Sequence, residues 1–352
     1  MKVKYSDLLH VYENEVRKNI KNKKKILFFE RNKIEYPIDI KRVLENNLYD
    51  GGKYNKFLVF KPKIRVVMSQ SIYDKVINHY VARFILIPKL SKYLNERNCA
   101  TRKEMGTSYA IEMLKSDIEY FKRYNKFYFL KLDISKFFYN IDHNVLINLI
   151  QDDLISEELN LIKTILNSTN QSYINNIITK YEKNLNISLP KYNYNKGLPI
   201  GNMTSQFLAI FYLAKLQHFI RHNLHLKFIN YMDDYIIIHQ DKEYLKKCLE
   251  IIKDKLNNEY KLDINKNKTM ITNHKEGINF LGYNFKVINN KTIISLSQSS
   301  KKNIKKGIKR NKYFYNRKMI NFNQLFSSIE NYKYSYKYCN YYEIKNIFDR
   351  YF

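Results

Sequence analysis

Leu226-Lys227-Phe228-Ile229-Asn230-Tyr231-Met232-Asp233-Asp234-Tyr235-Ile236-Ile237-Ile238 decides the reading of this chain. Apolar runs flank Tyr231-Met232-Asp233-Asp234, which reads as strand, tight turn, strand with neighbouring carboxylates at the tip. Adjacent aspartates repel, so a hairpin selected for stability alone avoids them. They become favourable when a divalent cation lies between them, and Mg²⁺ is typically held by one or two carboxylates together with substrate phosphates. Far upstream, Phe129-Leu130-Lys131-Leu132-Asp133 is a second apolar, strand-like run ending in aspartate. Three carboxylates at strand ends suit two metals roughly 4 Å apart and in-line phosphoryl transfer. An Asp-Asp pair alone is more often a solvated turn; the apolar flanks and the matching Asp133 strand reverse that balance.

The chain has 352 residues, with 62 Lys and Arg against 33 Asp and Glu, a formal net charge of +29. That length suggests two or three domains, or one enzyme with subdomains, and a core that needs no covalent staples. An AT-rich coding bias would enrich Lys, Asn, Tyr and Ile, but it would enrich Asp and Glu as well. The imbalance therefore points to a polyanionic partner, with nucleic acid first. The 32 Tyr and 21 Phe among these cations suit stacking on unpaired bases.

Cys99, Cys248 and Cys339 are far apart, with neither zinc spacing nor a disulfide framework. The expectation is a reducing cytoplasm. The amino terminus lacks an apolar signal core, and no apolar run reaches the roughly 20 residues of a membrane helix. No membrane partner is expected. His218 and His222 share a helical face, but the glutamate of a zinc-peptidase motif is missing.

Along the chain, 1–50 read as helical and basic, Gly51-Gly52 as a turn, and the segments around 57–60 and 64–67 as a strand pair. Helices are expected at 71–95, 107–122, 143–168, 203–225 and 242–259. The Asn- and Tyr-rich 170–195 read as an excursion or long loop, and Ile278–Tyr283 opens another strand pair. With only 8 Gly and 5 Pro in the chain, Gly197-Leu198-Pro199-Ile200-Gly201 marks backbone that turns sharply or lets a ligand approach. From Lys301 to Lys318 the chain is basic and interleaved with Tyr313, Phe314 and Tyr315.

Taken in order, Lys61-Pro62-Lys63-Ile64-Arg65, Ala100-Thr101-Arg102-Lys103, Leu132-Asp133-Ile134-Ser135-Lys136-Phe137-Phe138, Gly197–Gln206, Tyr231–Asp234, Lys268-Thr269 and Phe280-Leu281-Gly282-Tyr283 resemble the ordered motifs of bacterial reverse transcriptases. The resemblance covers residues 50–290. It implies an α+β right-hand polymerase fold: an N-terminal helical segment and fingers over 1–122, an antiparallel-sheet palm over 123–285 with an excursion at 143–195, and a basic, aromatic, helical thumb over 286–352.

It also implies roles. Asp133, Asp233 and Asp234, with the carbonyl of Ile134, would hold two Mg²⁺ ions, with Mn²⁺ as a substitute. Lys268 would be the general acid for the leaving phosphate. Lys63 and Arg65 would grip the triphosphate, and Phe138 would lie under the deoxyribose and exclude a 2′-hydroxyl. Ile200 and Gly201 would neighbour the nascent pair. Arg102, Ser205, Gln206, Tyr231, Met232, Leu281 and Gly282 would meet template or primer. For several of these the plainer reading stays open: Phe138 as a core aromatic, Arg65 and Lys268 as surface charges.

The implied partners are an RNA template, a DNA or RNA primer and deoxynucleoside triphosphates, with a small basic accessory protein or a cognate structured RNA. Many family members carry Gln-Gly and Ser-Pro where this chain has Ile200-Gly201 and Ser205-Gln206. That variant resembles the enzymes of diversity-generating retroelements, and also some antiphage-defence reverse transcriptases. A reading from another class is a non-catalytic RNA-binding protein on a polymerase fold; the intact Asp133, Asp233, Asp234 and Lys268 speak against it.

Overall fold

The computed structural model describes residues 1–60, 64–339, 345–347 and 349–350. The amino-terminal helices are α1 (Tyr5–Val11), α2 (Lys23–Arg31) and α3 (Glu35–Glu45), followed by strands β1 (Asn55–Val59) and β2 (Arg65–Ser69), which pair antiparallel with Phe57 opposite Val67. Ser71 caps α4 (Ile72–Tyr80) by accepting from the Asp74 amide. A wide π-helical turn over Val81–Leu86 joins it to α5 (Ile87–Leu90), so the expected 71–95 helix exists with a bulge in it. Next come α6 (Thr107–Phe121) and β3 (Tyr128–Asp133).

The helices α7 (Phe137–Asn140), α8 (His143–Ile150), α9 (Ser156–Asn167) and α10 (Ser172–Leu185) form the excursion. The expected 143–168 helix is broken at 151–155, and α10 occupies the stretch that reads as a loop. Its Asn and Tyr residues conceal a helix that docks on the first hairpin. The Tyr54 amide donates to the Tyr173 hydroxyl at 3.1 Å, the Tyr181 hydroxyl donates to the Lys56 carbonyl at 3.1 Å, and the Lys56 ammonium lies 3.6 Å from the Tyr173 ring centre.

The expected 203–225 helix divides at Leu213 into α11 (Met203–Tyr212) and α12 (Ala214–His222). Strands β4 (Lys227–Tyr231) and β5 (Asp234–His239), helix α13 (Lys242–Tyr260) and strand β6 (Met270–Asn273) complete a sheet of order β4-β5-β3-β6. Strands β7 (Ile278–Phe280), β8 (Tyr283–Ile288) and β9 (Lys291–Leu296) form a second antiparallel sheet. Helices α14 (Gln298–Asn316) and α15 (Phe322–Ser335) follow. The composition break at 286 falls inside β8; the structural change comes after β9.

The β3 and β5 runs are apolar without strict alternation because helices and strands cover both faces of their sheet. Leu130, Leu132, Tyr235 and Ile237 pack into the larger core with α8, α11, α12 and α13. Phe129, Ile236 and Ile238 pack into a second core with α6 and the β7–β9 sheet. Each such buried Ile or Phe stabilises the sheet by about 1.5–3 kcal/mol. The central strands are therefore held firmly along their length, and their carboxylates lie at the ends. Among the described residues, no helix is long and apolar enough to cross a membrane.

Candidate active site at the carboxylate end of the sheet

The antiparallel register places Asp133, the last residue of β3, directly opposite Asp234, the first residue of β5. On the other edge of β5, Tyr231 pairs with Asp234, so Met232 and Asp233 are the two turn residues between β4 and β5. Met232 sits at φ +58°, a left-handed conformation uncommon for a residue with a side chain. Like charges directly opposite each other are destabilising, and three carboxylates meet at one sheet end here.

Lysines answer this charge in part. Lys268 Nζ donates to Asp133 Oδ2 at 2.5 Å. Lys131 Nζ stands 3.6 Å from Asp234 Oδ1 but donates to the Asn279 carbonyl at 3.0 Å. Asp234 Oδ1 is itself buried and has no hydrogen-bond partner. The Asp233 carboxyl is pushed above its ordinary range, first by burial and then by the charges of Asp234 and Asp133.

The segment after α13 fixes the end of β3. The Asn265 amide donates to the Asp133 carbonyl at 2.7 Å, and the Ser135 amide donates to the Asp263 carbonyl at 2.8 Å. These bonds flank the Ile134–Ile264 bridge, so the carbonyl of Ile134 points away from it, toward the β5 side where Asp233 lies. Among the described residues, no group of three His, Cys, Asp or Glu side chains forms a ready metal cage. Lys268 engages one oxygen of Asp133 instead. The donor set of hard carboxylate and carbonyl oxygens, with one oxygen orphaned in the interior, nevertheless has the chemistry that Mg²⁺ selects.

The other expected site residues divide by environment. Phe138 lies half-buried in α7, one residue after Phe137, and its carbonyl accepts from the Leu198 amide at 2.7 Å. Thus the Gly197–Gly201 segment is bonded to the Asp133 side of the site. The same segment reaches the first hairpin, because the Ile200 carbonyl accepts from the Met68 amide at 2.8 Å. Gly201, at φ +127°, allows this approach: a Cβ there would lie 2.5 Å from the Met68 carbonyl oxygen. Ile200 packs at the margin of the Tyr54, Val66 and Met68 cluster. Arg65 is exposed at the start of β2, and Lys63 lies outside the described residues.

Ser205 and Arg102 have different surroundings. Ser205, on the buried side of α11, is 1% exposed with its hydroxyl unpartnered. The Arg102 guanidinium donates to the Asn95 carbonyl at 2.7 Å and to the Asn98 carbonyl at 3.3 Å, which ties down its own loop. Gln206 does line a cavity of about 340 Å³, with Gly201, Met203, Lys75 and His79.

Leu281 and Gly282 form the tight turn between β7 and β8, both at positive φ. The Gly282 carbonyl accepts from the Ser297 amide at 3.0 Å and from the Ser300 hydroxyl at 2.8 Å, which fastens this turn to the start of α14. The outer side of α14 exposes Lys302, Lys306, Lys309 and Arg310.

Sequence reasoning passes over Lys131 beside Asp234, and Asn98, Gln217 and Asn230 behind the β4–β5 turn. In a chain so rich in Asn and Lys, these have no contrast. The available signal is polar residues inside otherwise apolar strand and helix faces.

No curated protein matches the chain. Among solved structures, it is similar to Candida albicans telomerase in complex with a fragment of telomeric RNA, at 15% identity and a TM-score of 0.49, covering 74% of this chain and 51% of that one. It is also similar to apo telomerase of Candida tropicalis truncated from its C-terminal domain, at 14% identity and a TM-score of 0.47, covering 68% and 54%. The chain thus spans about half the length of the telomerase chains it matches. Residues 53–285 match the sequence model of the reverse transcriptase (RNA-dependent DNA polymerase) family, and the chain belongs to that family, with its α+β right-hand polymerase fold.

Proposed function

We propose that this protein synthesises DNA on an RNA template, extending a DNA or RNA primer with deoxynucleoside triphosphates. The observation that carries the reading is the pairing of Asp133 with Asp234 across β3 and β5, with Asp233 on the strained turn beside them. A fold pays for such a charge cluster only where a ligand uses it. Two Mg²⁺ ions, or Mn²⁺ in their place, held by Asp133, Asp233, Asp234 and the Ile134 carbonyl would lower the pKa of the primer 3′-hydroxyl and offset the triphosphate charge.

The chain's own groups do the rest. The primer 3′-hydroxyl gives up its proton to solvent, its oxygen bonds the α-phosphorus as the bond from that phosphorus to pyrophosphate breaks, and Lys268, already within the cluster, supplies a proton to the leaving pyrophosphate. Arg65 and Lys63 grip the triphosphate. The Phe138 ring fills the space a 2′-hydroxyl would need. Tyr231 and Met232 face the primer end, Leu281-Gly282 supports it, and the cations of α14 bind backbone phosphates with a steep salt dependence.

We place the enzyme in a bacterial retroelement of the diversity-generating kind, acting in the cytoplasm with a structured RNA or a small basic accessory protein. The support is Ile200-Gly201 with Ser205-Gln206. Ile200 offers shape without a hydrogen bond, and one hydrogen bond of about 1 kcal/mol is enough to alter base discrimination several-fold.

The test is primer extension on a defined RNA with Mg²⁺, alongside sequencing of the RNA and DNA that co-purify with the protein. The parent should extend and Asp233→Ala should not. RNA binding without extension by the parent would establish the non-catalytic reading instead.

A further inference from the structure

The strained Met232-Asp233 turn has a single side chain clamped across it. Asn230 Nδ2 donates to the Met232 carbonyl at 2.7 Å and lies 3.4 Å from the Asp234 carbonyl. Both carbonyls are obligatory acceptors, so Asn230 must present its NH₂ to the turn and its oxygen away from it. That oxygen accepts from Gln217 Nε2 at 3.2 Å. Gln217 therefore has to present its own NH₂, which also reaches the Tyr235 hydroxyl at 3.1 Å. Its remaining oxygen accepts from Asn98 Nδ2 at 3.3 Å.

The three amides form one directional series, each oriented by the next. Asn98 and Gln217 are 0% exposed and Asn230 is 1% exposed, so water cannot take over any link. The backbone reinforces the same point. The Cys99 amide donates to the Asn230 carbonyl and the Asn230 amide to the Arg97 carbonyl, each at 2.9 Å. A buried apolar pair would pack the α12–β4 contact at least as stably as these amides. What the amides add is direction, and it ends on the turn that presents Asp233 and Asp234.

We propose that Gln217, remote from any reacting atom, is a positioning residue that acts through Asn230 to hold Met232-Asp233 in the conformation needed for nucleotide addition. This rests on the polymerase reading above. Misplacement of reacting groups by an ångström costs up to about a hundredfold in rate. Gln217→Leu keeps the size and removes both the donor and the acceptor. It should lower kcat for single-nucleotide addition roughly ten- to a hundredfold, with KM for the nucleotide and affinity for primer–template unchanged.

The double variant Gln217→Leu with Asn230→Ala should be no slower than Asn230→Ala alone, because both break one series. Independent of activity, hydrogen exchange at the Asp233 and Asp234 amides should accelerate in Gln217→Leu. Tyr235→Phe removes the other acceptor of the Gln217 amide and leaves the path to Asn230 intact. It should retain parental kcat and parental exchange.

Parental kcat in folded Gln217→Leu, or an equal loss in Tyr235→Phe, overturns the proposal. If Gln217→Leu does not fold, Gln217→Met, which is unbranched and cannot donate to Asn230, takes its place with the same expectations. Parent protein that fails to extend any primer overturns the polymerase reading instead, and the exchange measurement then still decides whether Gln217 controls the turn.

Discussion

Two tight turns cap hairpins of this molecule, share a bulky residue at positive φ, and differ in the charge they carry. Leu281-Gly282 joins β7 to β8 with both residues at positive φ, the geometry a hairpin twist prefers, with Gly at its second position. It carries no charge, and its carbonyl is taken up by Ser297 and Ser300. Met232-Asp233 joins β4 to β5 with a methionine at φ +58° where glycine would be easier. It brings in two carboxylates beside Asp133, one with an orphaned buried oxygen, and stays in place through a buried amide. The first turn also holds a bulky residue, Leu281 at φ +47°, in the left-handed region, but its glycine, its lack of charge and its bonds to Ser297 and Ser300 leave nothing in it unpaired. The second adds to the same backbone strain a cluster of like charges, as expected where strain and charge serve a site.

The sharpest way to break this contrast is to remove the charge. Asp234→Ala should reduce nucleotide addition by on the order of a thousandfold, as loss of several kcal/mol of transition-state stabilisation does. RNA affinity in a filter-binding assay should stay close to the parent's. Near-parental addition would make the carboxylate end an ordinary turn.

Next comes the uncharged turn. Gly282→Val forces a branched side chain into a left-handed position, with its Cβ 3.0 Å from the Ser300 hydroxyl. It should cost about 1–3 kcal/mol in denaturant unfolding. A neutral result would show that Gly282 is not conformationally required.

Met232→Gly sharpens the other half. Relief of the left-handed strain, less the added chain entropy of glycine, should leave stability level or raised by up to about 1 kcal/mol, with slower nucleotide addition. A large destabilisation would mean that the Met232 side chain, not the turn geometry, matters for packing.

The smallest effect concerns pH. The Asp233 carboxyl titrates above its unfolded value, so the folded state binds its proton more tightly. Its contribution then falls as pH rises from the unfolded value through the raised folded one. Asp233→Asn should therefore melt higher than the metal-free parent at neutral pH, and the gain should shrink to nothing in acid. A gain independent of pH would assign it to something other than ionisation.

Much of the site is legible along the chain itself. Asp133, Asp233 and Asp234 stand out because carboxylates at the ends of apolar strand runs contradict local stability, and such contradictions mark function. Gly201 is legible because glycine is scarce here. The burial of Ser205 and the bonds from Arg102 to the Asn95 and Asn98 carbonyls are not legible, since both depend on how the chain packs. The helix α10 is hidden because Asn and Tyr are weak local helix formers, and docking on the first hairpin overrides that preference.

The sequence by itself determined the apolar runs, the turn residues, the ordered motifs and the positive charge, all of which are properties of neighbours along the chain. Only the tertiary structure decided that Asp133 faces Asp234, that Lys268 reaches Asp133, and that Asn98, Gln217 and Asn230 align behind one turn. Those contacts join residues far apart in sequence. Strand register and helix packing, which minimise buried apolar and unpaired polar surface over the whole chain at once, bring them together.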